Sequence, residues 1–180
     1  MLRDPAAKRY AQAAFELASE RGELDTWEAD MRSLGEALAS AEAVAYVEDR
    51  RASSDAKLTF IQRTAGEPSP LVWNLVRLLE KKRRLALLPQ IAEQFQTLLD
   101  EHRGIAHAQV LTAVAMSDEE QRALASRLSE LTGKTVLVQT HEEPDILGGL
   151  VVRIGDRLID GSTRTKLVAL KSRLAGADRG

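Results

Sequence analysis

The chain has 180 residues, of which 44% are hydrophobic and 29% are charged, so it is too apolar for intrinsic disorder and long enough for one or two globular domains. Its formal net charge of −2 provides no overall field for nucleic acid or anionic lipid, and the absence of cysteine excludes disulfides and thiolate metal sites. No apolar run approaches the ~18 residues of a membrane span, and the N-terminus lacks the apolar core of a signal peptide. Any contact with a membrane is therefore expected to come through a partner.

The first 100 residues show helical periodicity throughout and contain every aromatic residue of the chain. Asp4-Pro5 is a typical helix start, and glycines and prolines mark the later boundaries. The helices are predicted at about 5–21, 24–39, 44–47, 54–65, 71–82 and 88–102. In the fourth, Leu58, Ile61 and Thr64 are expected to point inward.

The first and fifth helices carry more apolar surface than a helix at the edge of a small bundle requires. At ~100° per residue, the apolar side chains cover roughly 200° of the first helix and about 160° of the fifth. The small residues Ala13 and Ala14 would let another helix approach closely. Two interpretations stay open: complete burial in a tight bundle, or a groove that receives an amphipathic helix from a partner.

After Gly104 the period changes to that of strands. Ser117 and Glu120 form a capping-box pattern at the start of a helix that ends at Gly133. Strands are predicted at 106–114 and 135–140, and a hairpin at 150–154 and 157–159 turns at Gly155-Asp156, followed by a helix that Ser162 would cap. The predicted fold class is α+β. An N-terminal six-helix bundle occupies residues 1–104, and a small C-terminal α/β domain with the order strand, helix, strand, hairpin, helix occupies residues 105–180.

The sequence contains no recognisable metal or nucleotide site, and no cofactor is predicted. His102, His107 and His141 have no spacing typical of metal ligands, and the acidic stretch 142–145 is expected to be a solvated loop. The segment 161–166, GSTRTK, lacks the second glycine and the Gly-Lys-Ser/Thr ending of a phosphate-binding loop.

Two further groups of charged residues are candidates for functional sites. Asp156 and Asp160 could form a catalytic pair, but a turn and a position before a helix favour Asp for backbone reasons alone. The basic run Lys81-Lys82-Arg83-Arg84 could bind RNA, although cations at the end of a helix also complement its dipole. An RNA-associated protein that uses this run is the alternative functional hypothesis.

Three segments resemble the delta subunit of F-type ATP synthase, whose mitochondrial counterpart is the oligomycin-sensitivity-conferring protein. They are YAQAAFELA (10–18), RLALLPQIAEQFQTL (84–98) and ILGGLVVRIGDRLIDGS (146–162). The resemblance covers essentially the whole chain, and one departure is Glu142, where the family usually has an aliphatic residue. The most specific part is a constellation of turn and cap residues that we interpret as structural: Gly148, Gly149, Gly155, Asp156, Asp160, Gly161 and Ser162.

The resemblance implies a non-catalytic stator subunit that joins the catalytic alpha/beta head to the peripheral stalk and resists torque during ATP synthesis. The N-terminal bundle would receive the amphipathic N-terminal helix of an alpha subunit, and the C-terminal domain would bind the b subunits of the stalk. The protein would then lie peripherally at the cytoplasmic face of the cell membrane, with no nucleic acid as partner. Carried over to this sequence, the family's groove between the first and fifth helices falls on Tyr10, Ala13, Ala14, Leu17, Leu75, Leu78 and Leu79.

Overall fold

The computed structural model of the chain describes residues 4–143, 146, 148–155 and 157–160. Contacts within the chain divide it into two units, Met1–His102 and Arg103–Gly180. The described part of the first unit is helical, and that of the second combines one helix with a four-stranded sheet, which confirms the α+β class.

The helices of the first unit begin and end within two or three residues of the predicted bounds. They are α1 (Pro5–Arg21), α2 (Leu24–Ala37), α3 (Ala41–Glu48), α4 (Ser54–Ala65), α5 (Pro70–Lys81) and α6 (Leu88–His102), with a 3-10 turn at Leu85–Leu87 before α6. Asp4 caps α1 by accepting a hydrogen bond from the Ala6 N–H at 2.7 Å. Gly22 ends this helix in the left-handed region, at φ 66°, where a residue with a Cβ would be strained.

A single hydrophobic core holds the first unit together. Trp27 of α2 and Phe95 of α6 lie at its centre, with 1% and 0% exposure, and their rings stack at 6.2 Å. Helix α1 contributes a stripe of buried alanines at helical spacing, namely Ala7, Ala11, Ala14 and Ala18. Because these side chains are small, α1 can pack closely on its neighbours α6 and α2.

The second unit contains β1 (Ile105–Thr112), α7 (Asp118–Thr132), β2 (Thr135–Glu142), β3 (Leu150–Ile154) and β4 (Arg157–Asp160). The sheet order is β2-β1-β3-β4; β1 and β2 are parallel and joined through α7, and the other neighbours are antiparallel. Ala108, Val110, Val136 and Val152 line the inner face with Leu128 of α7. The pairing Ile154↔Arg157 leaves two residues for the turn of the hairpin, which confirms that prediction.

Two expectations about individual residues are wrong. Thr64 was expected to point inward, but it is exposed and its hydroxyl donates to the Phe60 carbonyl at 2.9 Å within its own helix. The first strand was expected to reach Val114, yet it ends at Thr112 and Val114 is 73% exposed. The Thr112 hydroxyl donates to the Val114 carbonyl at 2.7 Å, a bond that holds the chain in a bend after the strand. The predicted final helix after Ser162 lies outside the described residues.

Candidate functional site

Helix α1 has two apolar flanks beside its buried alanine stripe. On one flank Phe15 contacts the rings of Phe95 and His102 of α6, with centroid distances of 6.0 and 5.7 Å. On the other, Tyr10 and Leu17 are half-buried against the core and Ala13 is exposed. Their spacing of i, i+3 and i+7 puts these last three residues in one row along the helix, which we call the α1 row.

Helix α5 likewise has a buried stripe with one flank on each side. Val72, Val76 and Leu79 are completely buried. One flank faces α4, where Glu80 accepts a hydrogen bond from the Ser54 hydroxyl. The opposite flank carries a second apolar row, the α5 row, whose members are Leu71, Leu75 and Leu78. Leu71 and Leu75 are half-buried, and Leu78 is 44% exposed.

The structure separates the seven groove residues predicted from the sequence into two groups. Tyr10, Ala13, Leu17, Leu75 and Leu78 belong to the two rows and keep part of their surface accessible. Ala14 and Leu79 are core residues with 4% and 0% exposure, so their side chains have no free surface to offer a partner. Leu71 is not one of the seven predicted residues, but its spacing of i, i+4 and i+7 with Leu75 and Leu78 puts it in the same α5 row.

The two helices run in opposite directions along the first unit. The Asp4 N–H donates to the Gln90 side-chain oxygen at 3.1 Å, and Phe15 touches His102, so α1 runs parallel to α6. The C-terminal end of α5 contacts the 3-10 turn that leads directly into α6, so it lies near the N-terminal end of α1. At the other end of α5, the Ser69 N–H donates to Asp30 of α2 at 2.8 Å, close to Glu28, which accepts from Gln96 in the second half of α6 at 3.2 Å. Both α1 and α5 pack on α2. Two apolar rows on such a pair are suited to the sides of a groove.

The described residues offer no comparable support for a catalytic or metal-binding site. Among them, no group of three or more potential ligands is arranged to hold a metal ion, and no helix is long and apolar enough to cross a membrane. Clear pKa shifts in this part of the chain occur at two exposed carboxyl groups. Hydrogen bonds from Arg51 lower the pKa of Asp49, and hydrogen bonds from Ser117 lower the pKa of Glu120. Both contacts are local and structural.

The fingerprint residues are only partly described. Gly148, Gly149 and Gly155 all have positive φ, as their interpretation as bulge and turn residues requires, and Asp160 is the last residue of β4. Asp156, Gly161 and Ser162 lie outside the described residues, as does the segment 161–166. Of the candidate pair Asp156 and Asp160, the structure therefore describes Asp160 alone.

A cavity of about 520 Å³ lies beside the basic run, between α3, α4 and the end of α5. Its lining includes Arg50, Lys57 and Arg83, but also the carboxylates of Glu48 and Glu80. With both signs of charge in the lining, the cavity has no strong preference for an anion. It also shows that Arg83 points to the α4 side of α5, away from the α5 row.

Comparison with known proteins decides the family. The model of the ATP synthase delta (OSCP) subunit family matches residues 6–174. The chain is 37% identical over 172 residues to ATP synthase subunit delta of Gemmatimonas aurantiaca, with 94% of this chain and 93% of the relative covered. Identity to ATP synthase subunit delta of Salinibacter ruber is 40% over 172 residues, with 94% and 90% covered. The chain belongs to the ATP synthase delta (OSCP) family.

The fold agrees with this membership. One chain of the cryo-EM structure of the Toxoplasma gondii mitochondrial ATP synthase hexamer matches with a TM-score of 0.72 and 21% identity, over 96% of this chain and 98% of that one. Delta (OSCP) subunits are structural, non-catalytic subunits of ATP synthase, so the chain is not an enzyme. None of the comparisons supports the RNA-binding alternative, which is not proposed further.

Proposed function

We propose that the protein is the stator subunit that links the catalytic alpha/beta head of an F-type ATP synthase to its peripheral stalk. It lies peripherally at the cytoplasmic face of the cell membrane and resists the torque of the central shaft during ATP synthesis. The first unit acts as a six-helix bundle that binds the N-terminal helix of an alpha subunit, and the second unit binds the b subunits of the stalk. Family membership supports this assignment, and the surface of α1 and α5 supports the mode of binding.

The observation that carries the proposal is the pair of apolar rows. A monomer gains nothing by leaving Leu78 44% exposed beside half-buried Leu71 and Leu75, whereas an amphipathic helix laid between the rows would cover all three. Such a helix presents apolar residues every three or four positions, which matches the spacing within each row. The corrected groove therefore consists of Tyr10, Ala13 and Leu17 facing Leu71, Leu75 and Leu78.

The test uses the full chain, a peptide of the alpha-subunit N-terminal helix, and the Ala13→Glu variant. Ala13 is exposed in the middle of the α1 row, so a glutamate there leaves the core intact but places a charge and a bulky chain in the groove. We expect an affinity loss of at least about tenfold by calorimetry. In the assembled complex, the same variant should uncouple ATP hydrolysis from proton pumping.

Ser19→Glu is the matched control. Ser19 is exposed and lies about 120° round α1 from Ala13 by the ~100° step, so a glutamate there carries the same charge outside the groove. Circular dichroism should show both variants folded. Equal affinities for Ala13→Glu, Ser19→Glu and the natural chain would exclude this groove as the binding site.

A further inference from the structure

The two ends of the groove differ in charge, and the basic run Lys81-Lys82-Arg83-Arg84 begins at one of them. Lys82 continues the α5 row, since positions 71, 75, 78 and 82 follow one another at helical spacing. Lys81 lies next to Lys82 on the solvent side. Arg9 precedes Ala13 by one turn of α1, and the antiparallel arrangement brings this end of α1 to the same end of the unit. We call Arg9, Lys81 and Lys82 the basic end.

The opposite end is acidic. Glu16 and Glu20 border the α1 row near its C-terminus, and Glu67 lies four residues before Leu71, at the entry to α5. All three are exposed. Arg21 continues the α1 row four residues after Leu17, but it is the one cation in the stretch 16–23, which contains three glutamates, Glu16, Glu20 and Glu23, so the local balance stays negative. We call Glu16, Glu20 and Glu67 the acidic end.

The cations of the basic end are available to a partner. All three are exposed, and none has an ion pair or a side-chain hydrogen bond with another residue in the described part of the chain. The nearby cations are differently placed. Arg77 lies 5.9 Å from the centre of the Trp73 ring on the other flank of α5, and Arg83 lines the cavity towards α4. The positive charge of Arg9, Lys81 and Lys82 therefore lies at the end of the groove, whereas that of Arg77 and Arg83 lies elsewhere on α5.

We propose that the groove selects and orients its occupant by charge. The occupant is an amphipathic helix with carboxylates in the turn that lies against Arg9, Lys81 and Lys82, and cations in the turn that lies against Glu16, Glu20 and Glu67. A helix with acidic residues in its first turn and basic residues in its last, the usual distribution, would point its N-terminus towards Lys82. This inference rests on the proposed function, because it specifies the partner of the same groove.

The physical contribution of the charged ends is moderate and depends on salt. Exposed ion pairs at the rim of an interface contribute little to affinity but set register and exclude wrong orientations. Reversal of one charge replaces an attraction by a repulsion, and we expect this to weaken binding roughly fivefold at low salt. The Debye length falls from about 30 Å at 0.01 M to about 3 Å at 1 M ionic strength, so the difference should shrink as salt is added.

The experiment uses two synthetic 20-residue amphipathic helices with the same apolar face. The first peptide has glutamates in its first turn and lysines in its last turn, and in the second peptide the glutamates of the first turn are replaced by lysines. Each is titrated against the full chain, Lys82→Glu and Arg50→Glu. Arg50→Glu makes the same change in net charge, but Arg50 lines the cavity on the α4 side, away from the groove.

The first peptide should bind Lys82→Glu about fivefold more weakly than the natural chain, with Arg50→Glu unaffected. The second peptide should reverse this order and bind Lys82→Glu better than the natural chain. A role of Lys82 confined to the dipole of α5 predicts lower stability of Lys82→Glu without this reversal. Equal effects of Lys82→Glu and Arg50→Glu, or no reversal with the second peptide, would overturn the inference.

The outcomes separate the inference from the proposed function. If the natural chain binds the first peptide and Ala13→Glu prevents this while Lys82→Glu does not weaken it, the groove stands and the charge selection fails. If the natural chain binds neither peptide at low salt, the groove and the charge selection both fail.

The orientation is measured independently. Because the chain has no cysteine, Asn74→Cys introduces one labelling site at the exposed side of the first half of α5. A spin label there should broaden the NMR signals of the C-terminal turn of the first peptide more than those of its first turn. The reverse pattern would contradict the proposed direction.

Discussion

The neighbouring residues Leu78 and Leu79 of α5 allow the division between core and groove to be tested with one chemical change at two positions. Leu79 is 0% exposed and Leu78 is 44% exposed, although the two are adjacent in the sequence and both were predicted to line the groove. Leu78→Ala and Leu79→Ala remove the same atoms. Any difference between the variants therefore comes from the environment of each side chain.

The expected magnitudes are well separated. A fully buried leucine replaced by alanine loses its transfer free energy and leaves a cavity, so Leu79→Ala should lower the free energy of unfolding by about 2–5 kcal/mol. Leu78 already has nearly half of its surface in water and leaves no enclosed cavity, so Leu78→Ala should cost less than about 1 kcal/mol. At roughly 4–8 °C per kcal/mol for a unit of about 100 residues, Leu79→Ala should lower the Tm by about 10 °C or more.

Urea unfolding followed by tryptophan fluorescence measures this difference in the first unit alone. Both tryptophans, Trp27 and Trp73, belong to that unit, and Trp27 is 1% exposed in the core. The midpoint should fall for Leu79→Ala at an unchanged m-value, because a cavity changes stability without changing the surface exposed on unfolding. The affinity for the alpha-subunit peptide should show the opposite order of effects, because Leu78→Ala should bind the peptide about tenfold more weakly than the natural chain. Similar midpoints for the two variants would refute the assignment of Leu79 to the core and Leu78 to the groove.

Two further predictions concern the second unit. Ser117→Ala removes the hydroxyl that accepts from the Glu120 N–H at 3.3 Å and should cost about 1 kcal/mol, measured by hydrogen exchange in α7. Hydrogen bonds from the Ser117 N–H and, second, from its hydroxyl lower the pKa of Glu120, so the stabilisation is present at neutral pH and is lost as the pH falls through the lowered pKa. Ser117→Ala keeps the N–H and removes the hydroxyl, so an NMR titration should show the pKa of Glu120 moved only part of the way back to its usual value. An unchanged pKa would exclude a contribution of the hydroxyl. Gly155 lies in the turn of the β3–β4 hairpin at φ 55°, where a β-branched residue is strained. Gly155→Val should therefore weaken the hairpin by about 1–3 kcal/mol and speed amide exchange in β3 and β4. Exchange at the original rate would exclude strain at this position.

Periodicity and caps were sufficient to predict the helices of the first unit, helix α7 and the β3–β4 hairpin. Proline and Asp4 at the start of α1, Gly22 at its end, and the capping box of Ser117 and Glu120 are local hydrogen-bonding and φ requirements, and the helices begin and end close to the predicted residues. The hairpin around Gly155 was predictable for the same reason, because a two-residue turn between apolar strands restricts the backbone locally.

The sequence by itself also indicated that α1 and α5 have unusually wide apolar surfaces, and the resemblance identified the family. It did not determine which residues of each apolar surface are buried in the core and which stay accessible. A step of ~100° puts Ala14 beside Leu17 and Leu79 beside Leu75 on the same apolar arc, so periodicity alone cannot divide the arc into core and groove. The division comes from neighbours distant in the sequence. The alanine stripe of α1 packs closely on α6 and α2, and the remaining apolar residues are left at its edges.

The basic run at the end of α5 is a second case in which the sequence alone could not distinguish the environments of neighbouring residues. In the sequence, residues 81–84 are four equivalent cations. In the structure, Arg83 lines a cavity with Arg50 and Lys57, whereas Lys82 extends the α5 row towards the end of α1 that carries Arg9. Only tertiary structure could separate them, because the direction of a side chain at a helix end depends on the turn that follows and on the helices packed around it.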